Sequence, residues 1–304
     1  MKRFLKSIRD SQPANFLATE LVKKGYALCG RPCNEFFIKH LPRRDSVTAQ
    51  LPGGLTLRLS SKGDDGIANQ VFWRGWTADE PEALPLFFAL ARQAAIVFDV
   101  GAHVGIYAIV AALANPGARV YAFEPLPRTR DRLLANISRN SVSNVEVFAC
   151  AIGASVGWAI LYCAHLGIPL SSSLSREFMA DTISTPLIPE TVPVSTIDVI
   201  CSSRGISKID LIKLDIEGLE PDALRGMSEL LERTRPDIFC EVLCTSGTEA
   251  EISSLITPLG YRIFALNPAG MEEQAAVEVA ATRRNYLFTM RSLEEINALL
   301  HASH

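Results

Sequence analysis

The sequence predicts an α/β fold built on a doubly wound parallel sheet, and three observations support this prediction. From residue 94 onward, short apolar runs typical of buried parallel strands alternate with segments of helical spacing. The first run ends in an acid and glycines at 99–105, the pattern of a strand that breaks into a tight turn before a helix. The second run ends in Glu124, about twenty residues further on, where an acid commonly accepts hydrogen bonds from a ribose. These features indicate a nucleoside-binding site.

Each remaining element follows from its local pattern. Apolar positions at helical spacing predict an accessory helical region over 13–39, and the alternating run 55–59 predicts a strand. The alternation of strands and helices then predicts a helix at 80–92, strand 96–100, helix 104–114, strand 119–123, helix 127–139 and strand 145–151. An inserted hairpin and polar loop are predicted at 157–162 and 171–175, a strand and short helix at 191–200, strands at 209–214 and 238–242, and a terminal antiparallel hairpin at 261–266 and 285–290. We therefore divide the chain into an N-terminal accessory region, 1–75, and a ligand-binding domain, 76–304.

The composition is that of an ordinary soluble enzyme. The chain has 304 residues, of which 48% are hydrophobic and 21% are charged, and a net charge of −3. This balance gives no electrostatic case for a nucleic-acid partner. The basic stretch 1–9 leads into no apolar core, so no secretory signal is expected and the predicted location is cytoplasmic. It could touch an anionic membrane, but such short amphipathic segments are typically solvated, and we expect no stable membrane insertion.

The seven cysteines do not indicate a metal site. No C-x-x-C pair is present, and the pairs Cys29/Cys33 and Cys240/Cys244 have no histidine nearby. We expect no bound metal and, for a cytoplasmic chain, no disulfide.

The glycine spacing favours one nucleoside cofactor over another. A dinucleotide site needs G-x-G-x-x-G, but this chain has only Gly101 and Gly105, and His103 stands where the second glycine would be required. Asp99, just before the turn, would repel a pyrophosphate but could accept a hydrogen bond from an amino or hydroxyl group. S-adenosylmethionine, which has a sulfonium, an amino group and a ribose but no phosphate, therefore fits better than NAD.

At this point the chain resembles the FkbM-type methyltransferases over residues 76–289. The resemblance includes the glycine loop and Glu124, and its most specific part is the K-x-D-x-E-G block formed by Lys213, Asp215, Glu217 and Gly218. The other matching elements are the acidic run 79–82, Asn136, and the segments 151–153, 195–198, 236–242 and 260–262. The resemblance implies a class I methyltransferase, Rossmann-like sheet with a terminal antiparallel strand, and S-adenosylmethionine as cofactor. The predicted cofactor-binding residues are Asp99, Gly101, His103, Gly105, Glu124 and Asp215.

Catalysis is assigned to the fourth strand of the predicted sheet. Period-two alternation puts Lys213 and Asp215 on one face, and Glu217 too if the strand continues that far. Methyl transfer depends mainly on alignment, but a hydroxyl acceptor needs a base, for which Asp215, Glu217 or a histidine such as His165 is available. Three alternatives stay open: Lys213 forms an internal ion pair, Glu217 caps the next helix, or Asp215, Glu217 and Glu241 hold a divalent cation.

The predicted function is O-methylation of a hydroxyl on a glycan, glycolipid or secondary metabolite, acceptors that the resemblance implies. N-methylation is the nearest alternative, because the cofactor half would look the same. A catalytically inactive nucleoside-binding scaffold is the alternative from another class. The expected partner is a small-molecule or glycan acceptor, and the N-terminal helices could form a lid or pair two subunits in a homodimer.

Overall fold

The computed structural model describes residues 8–164, 168, 172–173, 186–243, 247–278 and 285–302. In chain order the strands are β1 (Arg44–Gln50), β2 (Thr56–Lys62), β3 (Ile96–Val100), β4 (Arg119–Phe123), β5 (Val145–Phe148), β6 (Ala151–Ile152), β7 (Gly157–Ala164), β8 (Ser172–Ser173), β9 (Leu187–Ser195), β10 (Leu211–Leu214), β11 (Asp237–Glu241), β12 (Arg262–Asn267), β13 (Gly270–Gln274) and β14 (Asn285–Thr289). The helices are α1 (Gln12–Leu28), α2 (Glu35–His40), α3 (Gly66–Arg74), α4 (Leu84–Ala91), α5 (Ile106–Ala114), α6 (Pro127–Asn140), α7 (Ile197–Arg204), α8 (Glu220–Arg225), α9 (Ser228–Thr234), α10 (Thr248–Ile256) and α11 (Leu293–His301).

An eight-stranded sheet in the order β13-β12-β14-β11-β10-β3-β4-β5 forms the centre of the molecule. Strands β5, β4, β3, β10 and β11 are parallel, and β14 is antiparallel to both of its neighbours, β11 and β12. All four residues of β10 and nearly all of β3 and β11 are buried, because both faces of a parallel sheet are covered by other elements. The predicted α/β doubly wound fold with a terminal antiparallel strand is confirmed.

The end of the chain is arranged differently from the predicted hairpin. Strands β12 and β14 do pair antiparallel, but the hairpin partner of β12 is β13, which follows after a tight turn. In this turn the backbone N–H of Ala269 donates to the Asn267 side chain at 3.0 Å. The local sequence pattern does not predict β13, because its exposed Glu272 and Glu273 lack the apolar alternation of a half-buried strand.

A second sheet, in the order β6-β9-β7-β8, includes the segment that was predicted as an insertion. Strand β7 pairs antiparallel with β9 along its whole length. The predicted strand 145–151 is divided, because β5 ends at Phe148 and the next two-residue strand pairs with β9 instead. Of the predicted polar loop 171–175, only 172–173 are described, and His165 also lies outside the described residues.

The β1-β2 hairpin of the N-terminal region packs closely on the main sheet's helices. Its Val47 and Leu59 belong to the same buried cluster as Leu133 of α6. Asn136 and Asn140 of α6 accept hydrogen bonds from the backbone of β2, at Ser60 (2.7 Å) and Arg58 (2.8 Å). These side-chain amides thus bind backbone N–H groups that would otherwise be unpaired at the free edge of the two-stranded sheet. The division at residue 75 stays a prediction.

Candidate active site

The candidate site lies at the carboxyl ends of four adjacent parallel strands. Asp99 lies near the end of β3, Glu124 directly follows β4, Asp215 directly follows β10, and Glu241 is the last residue of β11. Because these strands are neighbours and parallel, the four acids meet at one edge of the sheet, where ligands bind in doubly wound folds. The sequence predicted this grouping.

The glycine loop after β3 is shaped by contacts within the protein. Gly101 and Gly105 have φ values of +84° and +90°, which disfavour any residue with a side chain. A Cβ at Gly101 would lie 1.8 Å from the carbonyl oxygen of Asp215, and one at Gly105 would lie 2.2 Å from a methyl carbon of Leu133. Each glycine therefore permits a close packing contact, whereas the sequence suggested close approach of a ligand. Their role as cofactor-binding residues stays a prediction.

Asp99 faces the first turn of α5. One of its carboxylate oxygens accepts a hydrogen bond from the backbone N–H of Ala108 at 2.8 Å, and only 1% of the residue is exposed. Burial raises the pKa of Asp99 to about 7, against the opposing effect of that hydrogen bond. Within the described contacts, Asp99 anchors the start of α5 to the sheet, and its role as a cofactor-binding residue stays a prediction.

Glu124 holds the backbone of the glycine loop. Its two carboxylate oxygens accept hydrogen bonds from the N–H groups of His103 (3.0 Å) and Leu126 (2.8 Å). Burial raises the pKa of Glu124 to about 8, and these two donors oppose the rise. Each carboxylate oxygen has a second lone pair, so a ribose diol fits the remaining positions. The residue that the sequence assigned to a ribose therefore retains the capacity to bind one.

The loop before α3 also reaches this region, which the sequence did not indicate. Asp65 is 3% exposed, and its side chain accepts a hydrogen bond from the N–H of Ala68 at 3.0 Å. Burial raises the pKa of Asp65, while nearby His103 and Arg132 oppose the rise. His103 itself has φ = +49°. The hairpin region thus contributes an acid next to the glycine loop.

A buried ion pair lies behind the strand ends. The Lys213 ammonium is 3.2 and 3.3 Å from the two carboxylate oxygens of Glu80 and 3.5 Å from Asp215. The Tyr107 hydroxyl donates to Glu80 at 2.7 Å, and the ammonium lies 4.8 Å from the centre of the Tyr107 ring. Burial acts to lower the pKa of Lys213, but Glu80, Asp215 and Glu241 together raise it above its ordinary value. The internal ion pair is confirmed, with Lys213 and Asp215 on one face as predicted.

Asp215 and Glu241 form a carboxyl pair at the open end of this cluster. The Asp215 charge is the main cause, followed by burial, that raises the pKa of Glu241 to about 10, and a side-chain hydrogen bond with Asp215 contributes to the rise. Two carboxyl groups this close do not both ionise easily, so the pair retains a proton above the usual range of a glutamate. About a quarter of the Asp215 side chain, 26%, is exposed. Asp215 is thus accessible to a substrate.

Asp79 adds a fifth ionisable group to the cluster. Burial, together with the charges of Glu80 and Asp215, raises the pKa of Asp79 to about 7. Sequence reasoning placed Asp79 and Glu80 only in an acidic run shared with a family. The sequence did indicate that such a partner exists, because a lysine in an apolar strand needs a buried carboxylate.

Glu217 is separated from this cluster by the local backbone. Strand β10 ends at Leu214, and Glu217 has φ = +56° in the following loop, so the alternation that would align it with Lys213 is interrupted. That loop is held by Glu220, whose carboxylate accepts from the N–H groups of Ile216 (3.1 Å) and Gly218 (3.2 Å). Glu217 does not cap α8 either, since the cap position is Leu219.

The alternative of a divalent cation on Asp215, Glu217 and Glu241 finds no support in the geometry. Asp215 and Glu241 use their oxygens on each other and on Lys213. Over the ranges that the structure describes, no group of three or more acids, histidines or cysteines has an arrangement that would hold a metal ion.

Comparison with known proteins gives the family. The Methyltransferase FkbM domain matches residues 99–263, which run from the end of β3 to β12. The chain belongs to the FkbM methyltransferase family. The resemblance predicted from the sequence is confirmed, and the candidate site lies in the matched region apart from the acids of the 79–82 run and Asp65.

Three curated relatives have activities in their names. The 31-O-demethyl-FK506 methyltransferase FkbM of Streptomyces tacrolimicus is 28% identical over 196 residues, covering 57% of this chain and 75% of the relative. The 2-O-methyltransferase NoeI of Sinorhizobium fredii is 27% identical, covering 48% of this chain and 63% of the relative. The hexuronic acid methyltransferase AglP of Haloferax volcanii is 26% identical, covering 50% of this chain and 58% of the relative. This chain therefore spans about three fifths of the last two proteins.

Of the helices in the described ranges, none has the length and apolar character needed to cross a bilayer.

Proposed function

We propose that this methyltransferase uses S-adenosylmethionine to methylate a hydroxyl group, with a sugar or sugar-derived molecule as acceptor. The carboxyl pair of Asp215 and Glu241, beside the buried Lys213, is the observation that carries the proposal. It provides a partly exposed carboxylate that is held by a lysine and paired with a second carboxyl group. Such a group can take the proton of an attacking hydroxyl.

The donor set of the site suits S-adenosylmethionine. Glu124, which binds the backbone of the loop 101–105, suits a ribose. The described strand ends carry acids that would attract a sulfonium and an amino group but repel phosphates. Gly101 and Gly105 shape the loop that Glu124 holds. When bound, S-adenosylmethionine supplies an electrophilic methyl group on a positively charged sulfur. We assign cofactor binding to Glu124. Asp99 at the end of β3, and Gly101, His103 and Gly105 in the loop that follows, are assigned to positioning the cofactor.

Asp215 is the proposed base. Its carboxylate takes the proton that the acceptor hydroxyl loses, and S-adenosylmethionine, when bound, would supply the methyl group. Glu241 lies beside that carboxylate as the other member of the carboxyl pair, and Lys213 holds it from the other side. Lys213 is 2% exposed, so we assign it to positioning rather than to contact with the substrate. Glu217, in the loop after β10, stays a predicted catalytic residue.

The acceptor class rests on the relatives. Two of them are named as O-methyltransferases and one as a methyltransferase of a hexuronic acid. A sugar hydroxyl is a weak acid, so its methylation benefits from a base, whereas an amine attacks through a free lone pair and needs less help. A site with a preorganised carboxylate therefore supports oxygen over nitrogen as the acceptor atom.

The cofactor assignment is tested by isothermal titration. We expect the purified chain to bind S-adenosylhomocysteine and not NAD. Failure to bind S-adenosylhomocysteine would contradict the assignment, and binding of NAD in its place would require a dinucleotide site.

The acceptor assignment is tested with the Asp215→Asn variant. A panel of sugars that includes hexuronic acids, and matched amines, is assayed for methyl transfer. With a hydroxyl acceptor we expect the variant to lose about 100-fold to 10,000-fold in kcat while its affinity for S-adenosylhomocysteine changes little. Glu232→Gln, at an exposed site on α9, is the matched control and retains activity. Full activity of Asp215→Asn would exclude it as the base, and transfer only to the amines would replace oxygen by nitrogen.

A further inference from the structure

Helix α1 packs on the rest of the protein through polar residues. Asn15 and Thr19 have no exposed surface, although both are polar. The Asn15 amide donates to the carbonyl of Pro42 at 3.0 Å and accepts from the N–H of Arg44 at 2.9 Å. Thr19 accepts a hydrogen bond from the Arg43 guanidinium at 2.7 Å. The helix is therefore fixed to the β1 end of the hairpin by a specific, fully paired polar contact.

The opposite side of α1 is apolar and exposed to solvent. Leu17, Leu21 and Leu28 are 61%, 62% and 89% exposed, and Phe16 beside them is 42% exposed. Lys24 is also exposed and lies between them in the sequence. The spacing 17, 21, 24, 28 places these residues along one stripe of a helix. An amphipathic helix normally buries its apolar stripe against the protein, so this helix has the reverse orientation. We call the stripe the α1 apolar face.

The region around the α1 apolar face is positively charged, unlike the rest of the chain. Residues 8–44 contain seven Lys and Arg and three Asp and Glu, whereas residues 45–304 contain ten more acidic than basic residues. A cavity of about 380 Å³ beside the helix is lined by three cations and one acid, Lys23, Lys24, Arg43 and Glu20, together with Ser46, Thr48, Ala27 and Phe72. Of these cations, Arg43 is 3% exposed and paired with Glu20, whereas Lys24 is exposed within the stripe. Accessible positive charge therefore lies beside a helix that exposes an apolar stripe.

We propose that α1 docks this enzyme on the surface of an anionic lipid bilayer. Apolar side chains enter the boundary between headgroups and acyl chains, and neighbouring cations attract anionic headgroups. A nucleic acid would match the charge but would leave Leu17, Leu21 and Leu28 in water. The helix lies in the membrane plane and does not cross it, in agreement with the absence of a spanning helix among those described. The proposal is independent of the proposed acceptor.

Co-sedimentation with vesicles tests the proposal with the full chain. We expect binding to phosphatidylcholine vesicles that contain about one third phosphatidylglycerol, little binding to phosphatidylcholine alone, and release as ionic strength rises. The double variant Leu17→Glu/Leu21→Glu should bind the anionic vesicles at least about tenfold more weakly, because it puts two negative charges in the stripe.

A matched control separates the stripe from general surface hydrophobicity. Val199→Glu changes a residue on α7 that is 48% exposed and should leave vesicle binding unchanged. Thermal unfolding and S-adenosylhomocysteine titration show that both variants fold. The proposal is overturned if the unaltered chain does not bind, if the double variant binds as well as the unaltered chain, or if light scattering shows a dimer that the double variant dissociates.

Discussion

The two halves of the candidate site are stabilised in different ways. In the cofactor half, Asp99 and Glu124 accept hydrogen bonds from backbone N–H groups of the glycine loop, of the helix that follows it and of Leu126 after β4. In the acceptor half, Glu80, Lys213 and Asp215 contact one another through side chains. The first set is local in the chain, spanning fewer than thirty residues, and the second joins residues more than 130 apart.

This difference indicates how each half should respond to substitution. A carboxylate that accepts from the backbone fixes a loop, so its loss should disturb a local shape and the ligand bound there. A buried ion pair compensates a large desolvation cost, so loss of one member leaves its partner charged and unpaired. Stability should therefore depend most on the acceptor half, and ligand affinity on the cofactor half.

The largest effect on stability is expected for Lys213→Met, which removes the only described cation of the acid cluster. Methionine matches the length of lysine but leaves the Glu80 carboxylate buried without its counter-ion. We expect the free energy of unfolding in urea to fall by about 3–5 kcal/mol.

The double variant Glu80→Gln/Lys213→Met serves as the control for the ion pair. It removes both charges, so it should be less destabilised than the sum of the two single variants. Strict additivity would mean that the two residues do not act as a pair.

A smaller effect on stability, with a marked effect on binding, is expected for Glu124→Gln. The new amide puts a donor against one of the two N–H groups that Glu124 now satisfies. The free energy of unfolding should fall by about 1–3 kcal/mol, and the affinity for S-adenosylhomocysteine, measured by isothermal titration, should fall about tenfold to 100-fold.

Asp210→Asn is a matched control for that loss of affinity. Asp210 lies at the opposite end of the sheet and, like Glu124, binds two backbone donors, since one of its carboxylate oxygens accepts from the N–H groups of Ala95 (2.9 Å) and Ile96 (3.0 Å). It should lower stability without changing the affinity for S-adenosylhomocysteine. An equal loss of affinity in both variants would show that Glu124 acts only on the fold.

The last effect concerns the pH dependence of stability. Glu241 has a pKa near 10 in the folded chain, far above that of an unfolded glutamate, so the folded state binds the extra proton between these values. The stability that this proton contributes is present at low pH and is lost as pH rises from about 4.5 toward 10. Glu241→Gln cannot ionise and should lose less stability over that range, by up to about 1 kcal/mol per pH unit. Urea unfolding curves of both proteins at about pH 6, 7.5 and 9 measure the difference in the free energy of unfolding. Parallel pH profiles would show that Glu241 is ionised at neutral pH.

The local elements were predictable to a large extent because they follow from short patterns. The apolar runs of β3 and β4 and the acid that follows each of them fixed the cofactor half from neighbouring residues. The doubly wound arrangement also followed, since parallel strands joined by helices can be wound in few ways. By contrast, β13 and the division of the strand after β5 depended on pairing with distant strands, which no local pattern encodes.

The sequence by itself determined the fold class, the family and the identity of the acids at the strand ends, because these depend on periodicity and on motifs within a few residues. Only the tertiary structure decided what each acid does. It paired Lys213 with Glu80, placed Glu241 beside Asp215, turned Asp99 toward α5 and directed the polar side of α1 inward. The physical reason is that burial and the charge of distant neighbours set the protonation and partner of each group, and these are properties of the folded chain.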